Sequence, residues 1–346
     1  MSDKLSQIID GDDVPLDQLS DLKHALRTYS TPSIRDSLTQ LGVTVGLFTL
    51  SLIAMYALMI NIGYWAALVV AVPAGLLLVR IFIIQHDCGH YSFFRQKWAC
   101  DVLGRVLGIV TLTPYLWWKR DHDWHHATSG NLDKRGYGDI GTLTVAEYMA
   151  LGNTGKILYR LYRHPAVLFA IGPVYQFVLR QRLAINIRNR NRSAAASVHW
   201  TNLAVALMIA GLSALIGFVT FLKLWLPVIA VSSCAGVWMF FIQHQFEGTY
   251  WRRDQNWSFE QAALKGCSYY KLPLLLEWLT GYIGYHHIHH LASKIPNYKL
   301  KSCFENVPTL RHVTTLNLWD SLKCARLALW DEDEQRLIAF TDLAHA

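Results

Sequence analysis

Long stretches without a charged residue most constrain what this chain can fold into. No charged residue occurs from Ser37 to Val79, and two further uncharged runs, Ser193–Leu222 and Leu224–Phe246, are separated only by Lys223. A helix that crosses the hydrocarbon core of a bilayer needs about 20 mostly apolar residues. The first run is long enough for two such helices, and the other two runs are typical of a second pair. We therefore predict an all-α integral membrane protein with four transmembrane helices arranged as two hairpins.

Composition favours the same prediction. Hydrophobic residues make up 52% and charged residues 16% of the 346 residues, whereas a soluble chain carries about 25% charged residues. We place an N-terminal segment at residues 1–36, a core domain at 37–310 and a C-terminal segment at 311–346. Two shorter apolar stretches, Val106–Trp118 and His164–Leu179, are expected to be interfacial or re-entrant because segments this short rarely cross. The spans are predicted at about residues 41–60, 64–84, 199–219 and 224–244.

The distribution of Lys and Arg predicts the orientation, because cytoplasmic loops carry an excess of both. Residues 85–198 hold fifteen of them, the tail after Gln243 holds eleven and the N-terminal segment holds four, whereas the two outer turns hold only Lys223. Arg80 lies near the inner end of the second span and is expected to extend to the lipid head groups. The N-terminus, the middle segment (residues 85–198), the tail after Gln243 and a helical cap that carries the histidines are therefore expected in the cytoplasm. No nucleic-acid partner is predicted.

Histidine is unusually frequent, with fifteen residues, and most of them fall in four clusters. On a helix, residues i, i+3 and i+4 share one face, so each multiple cluster can present its imidazoles in one direction. The second and fourth spans run the same way, which brings the first and third clusters to the same depth. All four clusters can therefore meet at the inner membrane surface. The clusters are His86 and His90; His122, His125 and His126; His244; and His286, His287, His289 and His290.

Nine imidazoles exceed the four ligands of a tetrahedral zinc site and suit two metal ions of higher coordination. Imidazole binds Zn, Cu, Fe or Ni, so the pattern alone leaves the metal open. We leave out His287, which is expected to be exposed or to support a ligand. The neighbouring Asp87, Asp123 and Glu247 either orient ligand N–H groups or are ordinary surface carboxylates. The remaining histidines, His24, His164, His199, His312 and His345, are expected to have no metal role.

The clusters and their flanks resemble the membrane fatty acid desaturase family, over roughly residues 40–310. The resemblance rests on the pattern H-x-x-x-H at His86–His90 and on H-x-x-H-H at His122–His126 and His286–His290. The flanks are more similar to bacterial acyl-lipid desaturases than to animal acyl-CoA desaturases; they are Asp87-Cys88-Gly89, Tyr91–Phe94, Gln243–Glu247, Gly284-Tyr285 and Ile295–Tyr298. The resemblance implies two non-haem Fe2+ ions held by His86, His90, His122, His125, His126, His244, His286, His289 and His290.

This resemblance implies an O2-dependent oxidoreductase that inserts a double bond, normally cis, into an acyl chain held in a kinked apolar tunnel. No catalytic residue beyond the metal ligands and no further cofactor site is implied. The sequence shows no four-cysteine cluster and no flavin fingerprint, and it does not indicate a fused cytochrome b5 domain, so electrons are expected from an external donor. A basic cytoplasmic face would attract an acidic carrier such as ferredoxin, and it would equally attract anionic membrane lipid. A bacterial inner membrane is the expected location.

Two alternatives remain at this point. A di-iron hydroxylase or ketolase of the same superfamily would add oxygen instead of a double bond, although the flanks favour desaturation by resemblance. A metal transporter or haem-handling membrane protein would place polar ligands near the middle of the membrane. The predicted spans contain few ionisable residues, and the histidines lie at their inner ends, which disfavours a transporter.

Overall fold

The computed structural model describes residues 16–185 and 191–344 and is mostly helical. Residues 1–15 of the predicted N-terminal segment, and His345, therefore lie outside the described residues. In chain order, the helices are α1 (Leu16–Arg27), α2 (Ile34–Asn61), α3 (Tyr64–Gly89), α4 (Lys97–Val110), α5 (Tyr115–Thr128), α6 (Val145–Ala150), α7 (Asn153–Arg163), α8 (Gly172–Val178), α9 (Arg192–Ile216), α10 (Phe218–His244), α11 (Phe259–Lys265), α12 (Leu274–Leu279), α13 (His286–Leu291), α14 (Asn297–Asn306) and α15 (Leu318–Cys324).

Four of these helices, α2, α3, α9 and α10, are long and apolar enough to span a membrane. The helices α2, α3 and α10 contain their predicted spans, whereas α9 ends at Ile216, before the predicted end of the third span. The prediction of an all-α membrane fold with four spans is confirmed. The helices α2, α3 and α9 extend beyond their predicted spans at the end where the histidines lie. Ser33 starts α2 by accepting a hydrogen bond from the Asp36 N–H, which satisfies one of the free N–H groups of the first turn.

Two hairpins form from these four helices, and each turns at a glycine. Gly63 (φ 136°) separates α2 from α3, and Gly217 (φ 84°) separates α9 from α10, so both turns use backbone conformations that favour glycine. The helix α3 is central and packs against α2, α4 and α10. The C-terminal ends of α3 and α10 carry His86 and His244, so both hairpins deliver histidines to the same end of the bundle.

The stretch Val106–Trp118, predicted to be interfacial or re-entrant, falls on α4 and α5, which meet at an angle of 106° with a break of only four residues. This geometry is that of a broken span or a re-entrant loop. Gly104 makes the sharp bend possible, because a Cβ atom there would lie 2.3 Å from the Tyr115 ring. The second stretch, His164–Leu179, forms a π-helical turn at Val167–Ile171 followed by α8, and both elements pack against α10.

Arg80 behaves differently from the expectation that it extends to the lipid head groups. Its side chain is buried (4% exposed) within the bundle. The guanidinium donates to the Thr44 hydroxyl from Nε at 3.1 Å and to the backbone carbonyl of Trp278 from Nη1. It also lies 4.2 Å from the centroid of the Trp278 ring. The prediction failed because a polar partner from the tail reaches into the bundle and satisfies the charge there.

Short strands are present beside the helices, which hydropathy did not indicate. A three-stranded sheet has the order β1-β4-β5, with β1 parallel to β4 and β4 antiparallel to β5. A two-stranded parallel sheet joins β2 to β3. The three-stranded sheet fastens the tail to the middle segment, and the two-stranded sheet joins two parts of the tail. The strands are β1 (Leu143–Thr144), β2 (Tyr269–Tyr270), β3 (Thr315–Leu316), β4 (Leu327–Asp331) and β5 (Arg336–Ala339).

Candidate metal centre

Four separate elements bring the histidine clusters together. The first cluster lies at the C-terminal end of α3, the second on the last turns of α5, the third at the last residue of α10 and the fourth on α13. The nine predicted ligands form two groups, and within each group the ligand atoms lie within 4.8 Å of one another. The groups are His86, His90, His122, His126 and His289; and His125, His244, His286 and His290.

In the five-histidine group, ring nitrogens point at a common centre. The Nε2 atom of His126 lies 3.1 Å from Nε2 of His122 and 3.0 Å from Nε2 of His289. The His86 and His289 ring centroids are 4.4 Å apart. The Nε2 atom of His90 is buried and has no hydrogen-bond partner among the described residues. A buried polar atom without a partner is costly, and a metal ion would satisfy this one.

The four-histidine group is arranged in the same way around His244. Its Nε2 atom lies 3.1 Å from Nε2 of His125 and 2.9 Å from Nε2 of His286. The Nε2 atom of His290 is buried and has no partner among the described residues. Two imidazole nitrogens at this distance can share only one proton, so one metal ion accounts for the convergence better than hydrogen bonds alone. The donor set of each group thus fits a divalent metal that accepts imidazole.

The two H-x-x-H-H clusters each contribute to both groups. On α5, His122 and His126 join the five-histidine group, while His125 joins the four-histidine group. On α13, His286 and His290 join the four-histidine group and His289 crosses to the other. The His126 and His290 rings stack with centroids 4.1 Å apart, so the groups are neighbours. On each of these two helices, the histidines at i and i+4 therefore belong to one group, and the histidine at i+3 belongs to the other.

Burial favours the neutral form of several of these imidazoles. It lowers the pKa of His286, His289 and His290 well below the ordinary histidine range, and neighbouring imidazoles lower it further. The same two causes lower the pKa of His122 and His126. A neutral imidazole keeps one lone pair free for a metal ion, so the protonation states favoured by the fold are those that coordination requires.

Asp139 is a residue of the site that sequence reasoning missed. Its Oδ1 atom lies 2.5 Å from Nδ1 of His125, which leaves Nε2 of that ring free for the group centre. The loop reaches His125 because Gly138 has φ 70° and because a Cβ there would lie 2.8 Å from the Asp121 carbonyl oxygen. No local pattern predicts this contact, since Asp139 lies 14 residues after its partner in a loop.

The three carboxylates flagged in the sequence have different environments. Asp87 is buried, and one of its oxygens lies 3.6 Å from Nδ1 of His86. Asp123 forms a surface ion pair with Lys119, and Glu247 is 65% exposed and pairs with Arg336. Only Asp87 is therefore placed to orient a histidine of the centre.

The flanks of the first and fourth clusters bind each other. The Asn297 N–H donates to the second carboxylate oxygen of Asp87 at 2.7 Å, and the Asn297 amide donates to the Gly281 carbonyl. The Tyr298 hydroxyl lies 3.2 Å from the Ser37 hydroxyl, which in turn donates to the Phe93 carbonyl. These bonds fix α14 against the ends of α2 and α3, so the flanking residues have a structural role.

His287 lies outside both groups, and the expectation of exposure is wrong for it. Its side chain is fully buried, its ring lies 5.9 Å from the Phe304 ring, and burial lowers its pKa to about 3. The histidines without a predicted metal role that the structure describes, His24, His164, His199 and His312, also lie outside the two groups.

A cavity of about 390 Å³ adjoins the four-histidine group, which is within the roughly 300–1,000 Å³ range of ligand sites. His125 and His244 form part of its wall, and Asp139 lies beside them. The aromatic residues of the remaining lining are Tyr159, Tyr162, Phe240 and Trp251, and polar residues such as Asn131 and Arg135 also contribute. The cavity therefore gives a molecule with apolar groups access to the histidines.

Comparison with known proteins decides the family. The model of the family described as Fatty acid desaturase matches residues 63–314, and these residues include all nine histidines of the centre. The chain belongs to the fatty acid desaturase family. The predicted resemblance is confirmed, and this desaturase is an oxidoreductase of the membrane-embedded kind.

Individual relatives agree with the family assignment. This desaturase is 43% identical over 325 residues to a fatty acid desaturase of Bacillus subtilis (strain 168), covering 94% of this chain and 91% of the relative. It is 25% identical to an sn-1 acyl-lipid omega-3 desaturase (ferredoxin) of Nostoc sp. (strain 36), covering 72% and 70% of the two chains. It is 26% identical to an sn-1 oleoyl-lipid 12-desaturase of Synechocystis sp., covering 74% and 72%.

Proposed function

We propose that this desaturase introduces a double bond into an acyl chain of a membrane lipid, with two iron ions held by the nine histidines. The observation that carries the proposal is the convergence of nine buried or half-buried imidazoles into two adjacent groups at one end of a four-span bundle. The named substrates of two relatives, an acyl-lipid and an oleoyl-lipid, favour a lipid-bound acyl chain over a soluble one.

The reaction requires an oxidant because side-chain acids and bases cannot break the C–H bonds of an unactivated acyl chain. Bound iron supplies the activation of O2 for this purpose. In the overall balance, a –CH2–CH2– unit, O2, two electrons and two protons give –CH=CH– and two molecules of water. The two electrons come from a donor outside this chain.

The protein's own contribution is to position and enclose the centre. Asp139 holds the His125 ring, and Asp87 lies against His86; such partners fix ring orientation. Burial excludes water from the histidines, and the neighbouring cavity offers an apolar approach to His125 and His244. Holding one carbon pair near the centre makes the chemistry effectively unimolecular.

The electron donor is proposed to be ferredoxin, in the cytoplasm of a bacterium. The printed name of the Nostoc relative includes ferredoxin. The net charge of +7 favours an acidic partner, and the Lys and Arg distribution favours a centre on the cytoplasmic side of the inner membrane.

Expression in a bacterial host that lacks acyl-lipid desaturation tests the proposal. Gas chromatography–mass spectrometry of total lipids should reveal new unsaturated chains in the wild type. His126→Ala and His289→Ala should each lower the unsaturated fraction at least about 100-fold, because a ligand is lost from the five-histidine group. Iron per purified protein, measured by plasma mass spectrometry, should fall in the same variants.

The control is His312→Ala, which changes an exposed histidine outside both groups and should leave both readouts unchanged. An added hydroxyl or keto group instead of a double bond would identify the hydroxylase alternative. Metal uptake without O2 consumption would identify a transporter. Normal unsaturation in both histidine variants would contradict the ligand assignment.

A further inference from the structure

Three lysines surround one tyrosine next to the metal centre, and the proposed function leaves them without a role. The Nζ atoms of Lys97, Lys119 and Lys294 lie 5.6, 4.7 and 5.2 Å from the centroid of the Tyr91 ring. Tyr91 directly follows His90 and has a φ of 55°, so the chain turns sharply here. The three lysines come from α4, α5 and the segment after α13, which are distant in sequence. We call them the lysine cluster.

Two of these ammonium groups have no carboxylate partner. Lys119 pairs with Asp123 at 2.7 Å. Lys294 donates to the His90 carbonyl at 2.6 Å, which is a neutral acceptor. Among the described residues, neither Lys97 nor Lys294 takes part in an ion pair. Asp101 is the other carboxylate nearby, and its Oδ1 accepts from the Tyr115 hydroxyl at 3.3 Å.

Like charges held this close repel one another, so the cluster gains stability when an anion binds. All three Nζ atoms are within 6 Å of one ring, and a phosphate group placed beside that ring could contact more than one of them. The Tyr91 ring keeps the three ammonium groups near one another because each of them is also attracted to its π face.

The surface beside the lysine cluster indicates where such an anion comes from. Along α4, the side chains of Trp98, Val102 and Val106 are 70%, 51% and 52% exposed. They follow one another at intervals of four residues and therefore form one apolar stripe. The helix belongs to the bent pair that is apolar enough to enter a membrane. Tryptophan is enriched at the boundary between lipid and water, which places Lys97, its neighbour in sequence, at the level of the head groups.

We propose that the lysine cluster is a binding site for the phosphate of an anionic phospholipid, whose acyl chains lie along the apolar stripe of α4. Basic residues flanking a membrane-embedded helix attract anionic lipid head groups. An acidic protein would match the charge but would leave the apolar stripe uncovered, so the structure favours lipid. The site does not depend on the proposed reaction.

Thermal unfolding of the detergent-solubilised protein tests the site without measuring activity. Dioleoylphosphatidylglycerol should raise the unfolding midpoint of the wild type by about 3 °C or more, since a ligand that binds only the folded state stabilises it. Dioleoylphosphatidylcholine, at the same concentration, should raise it by less than half as much. In the double variant Lys97→Gln/Lys294→Gln, the difference between the two lipids should disappear.

The matched control is Lys271→Gln/Lys323→Gln, which removes two exposed lysines away from the cluster and should respond like the wild type. If the double variant does not fold, Lys97→Gln alone serves, because no hydrogen bond holds that side chain in the described part of the chain. An equal response of wild type and variant to phosphatidylglycerol, or no response of the wild type, overturns the proposal.

Two further arms distinguish other sources of the anion. Inorganic phosphate that stabilises the wild type as much as phosphatidylglycerol does, and loses its effect in the variant, would identify a free-phosphate site and overturn the lipid assignment. Ferredoxin that binds the wild type and fails to bind the variant, with an unchanged lipid response, would identify the cluster as a protein-docking surface and overturn the proposal as well.

Discussion

At the scale of single residues, the geometry of the centre depends on the hydrogen bonds made by the imidazole nitrogens that face away from it. Several ring nitrogens converge on a group centre, and the opposite nitrogen of some rings is bonded to the protein. His125 is held by Asp139 and His244 lies 3.3 Å from the Gly266 carbonyl through Nδ1. Such bonds fix which nitrogen faces the centre.

Asp139→Leu should therefore weaken the four-histidine group without removing a ligand. We expect a fall of about 10- to 100-fold in metal affinity or desaturation, the range typical for losing such a partner. Asp139→Asn should lose less, because the amide oxygen still accepts the hydrogen bond. Metal titration of the purified protein and lipid analysis measure the two effects.

Asp123→Asn is the matched control, since Asp123 is one of the carboxylates flagged in the sequence but pairs with Lys119 at the surface. It should retain at least half of the wild-type activity. Equal losses of activity in Asp123→Asn and Asp139→Leu would show that loss of a negative charge near the centre, and not loss of the contact with His125, lowers the activity.

At the scale of elements, Arg80 connects a membrane-spanning helix to the tail. Its side chain extends from α3 and donates to the backbone carbonyl of Trp278 on α12. From α12 the chain continues through Tyr285 into the fourth histidine cluster. The Glu277 carboxylate accepts hydrogen bonds from the Tyr269 and Tyr285 hydroxyls. Arg80 and Glu277 thus fasten the segment that precedes α13 on two sides.

Replacing Arg80 by methionine should loosen this segment. Each hydrogen bond to a charged group contributes about 1.5–3 kcal/mol, so local opening of residues 274–285 should become at least about 10-fold more frequent. Hydrogen–deuterium exchange of the detergent-solubilised protein measures this opening. Arg105→Met, an exposed arginine on α4, should leave the exchange unchanged. Protection of residues 274–285 equal to the wild type would contradict the role given to Arg80.

The elements differ in how far the sequence predicts them. The four spanning helices follow from uncharged runs, and the histidine clusters follow from i, i+3 and i+4 spacing, because both signals are local. The assignment of His125 and His289 to opposite groups is not local: it depends on where α5 and α13 stand relative to each other. The contact between Asp139 and His125 depends on the path of a glycine-containing loop, which no periodicity encodes.

Long-range pairing limits prediction of the sheets in the same way. The strand β1 has two residues and pairs with β4 through Leu143 and Leu329, which are far apart in sequence. A two-residue strand has no detectable alternation. Similarly, Arg80 looked like a residue near the membrane surface because its partner, the Trp278 carbonyl, lies in the tail.

At the scale of the whole molecule, both hairpins open toward one end, and the metal centre, the middle segment and the tail share that end. The orientation of this end follows only from the charge distribution. Ile62 lies in the turn between α2 and α3 and is 72% exposed, whereas Glu334 lies in the exposed turn between β4 and β5. The turn with Ile62 lies at the end of α2 and α3 away from the histidines, whereas β4 pairs with β1 of the middle segment at the histidine end. The two positions therefore mark opposite ends of the molecule.

Cysteine labelling in intact bacterial cells tests the orientation. A membrane-impermeant maleimide should label Ile62→Cys at least about 10-fold more than Glu334→Cys, since positively charged loops stay in the cytoplasm. After the cells are lysed, both variants should be labelled. The wild type, whose six cysteines are mostly buried, gives the background. Preferential labelling of Glu334→Cys in intact cells would reverse the proposed topology.

The exchange of histidines between α5 and α13 has a consequence for how the protein acquires its metal. When one ion orders either helix, the ligands for the second ion are positioned as well. Binding at each site therefore increases the affinity of the other, and this coupling is necessarily reciprocal. Loading should therefore be close to all-or-none. A cell starved of metal would contain a mixture of empty and complete molecules with few half-filled ones, and scarcity would reduce how many copies work while leaving the behaviour of each working copy unaltered.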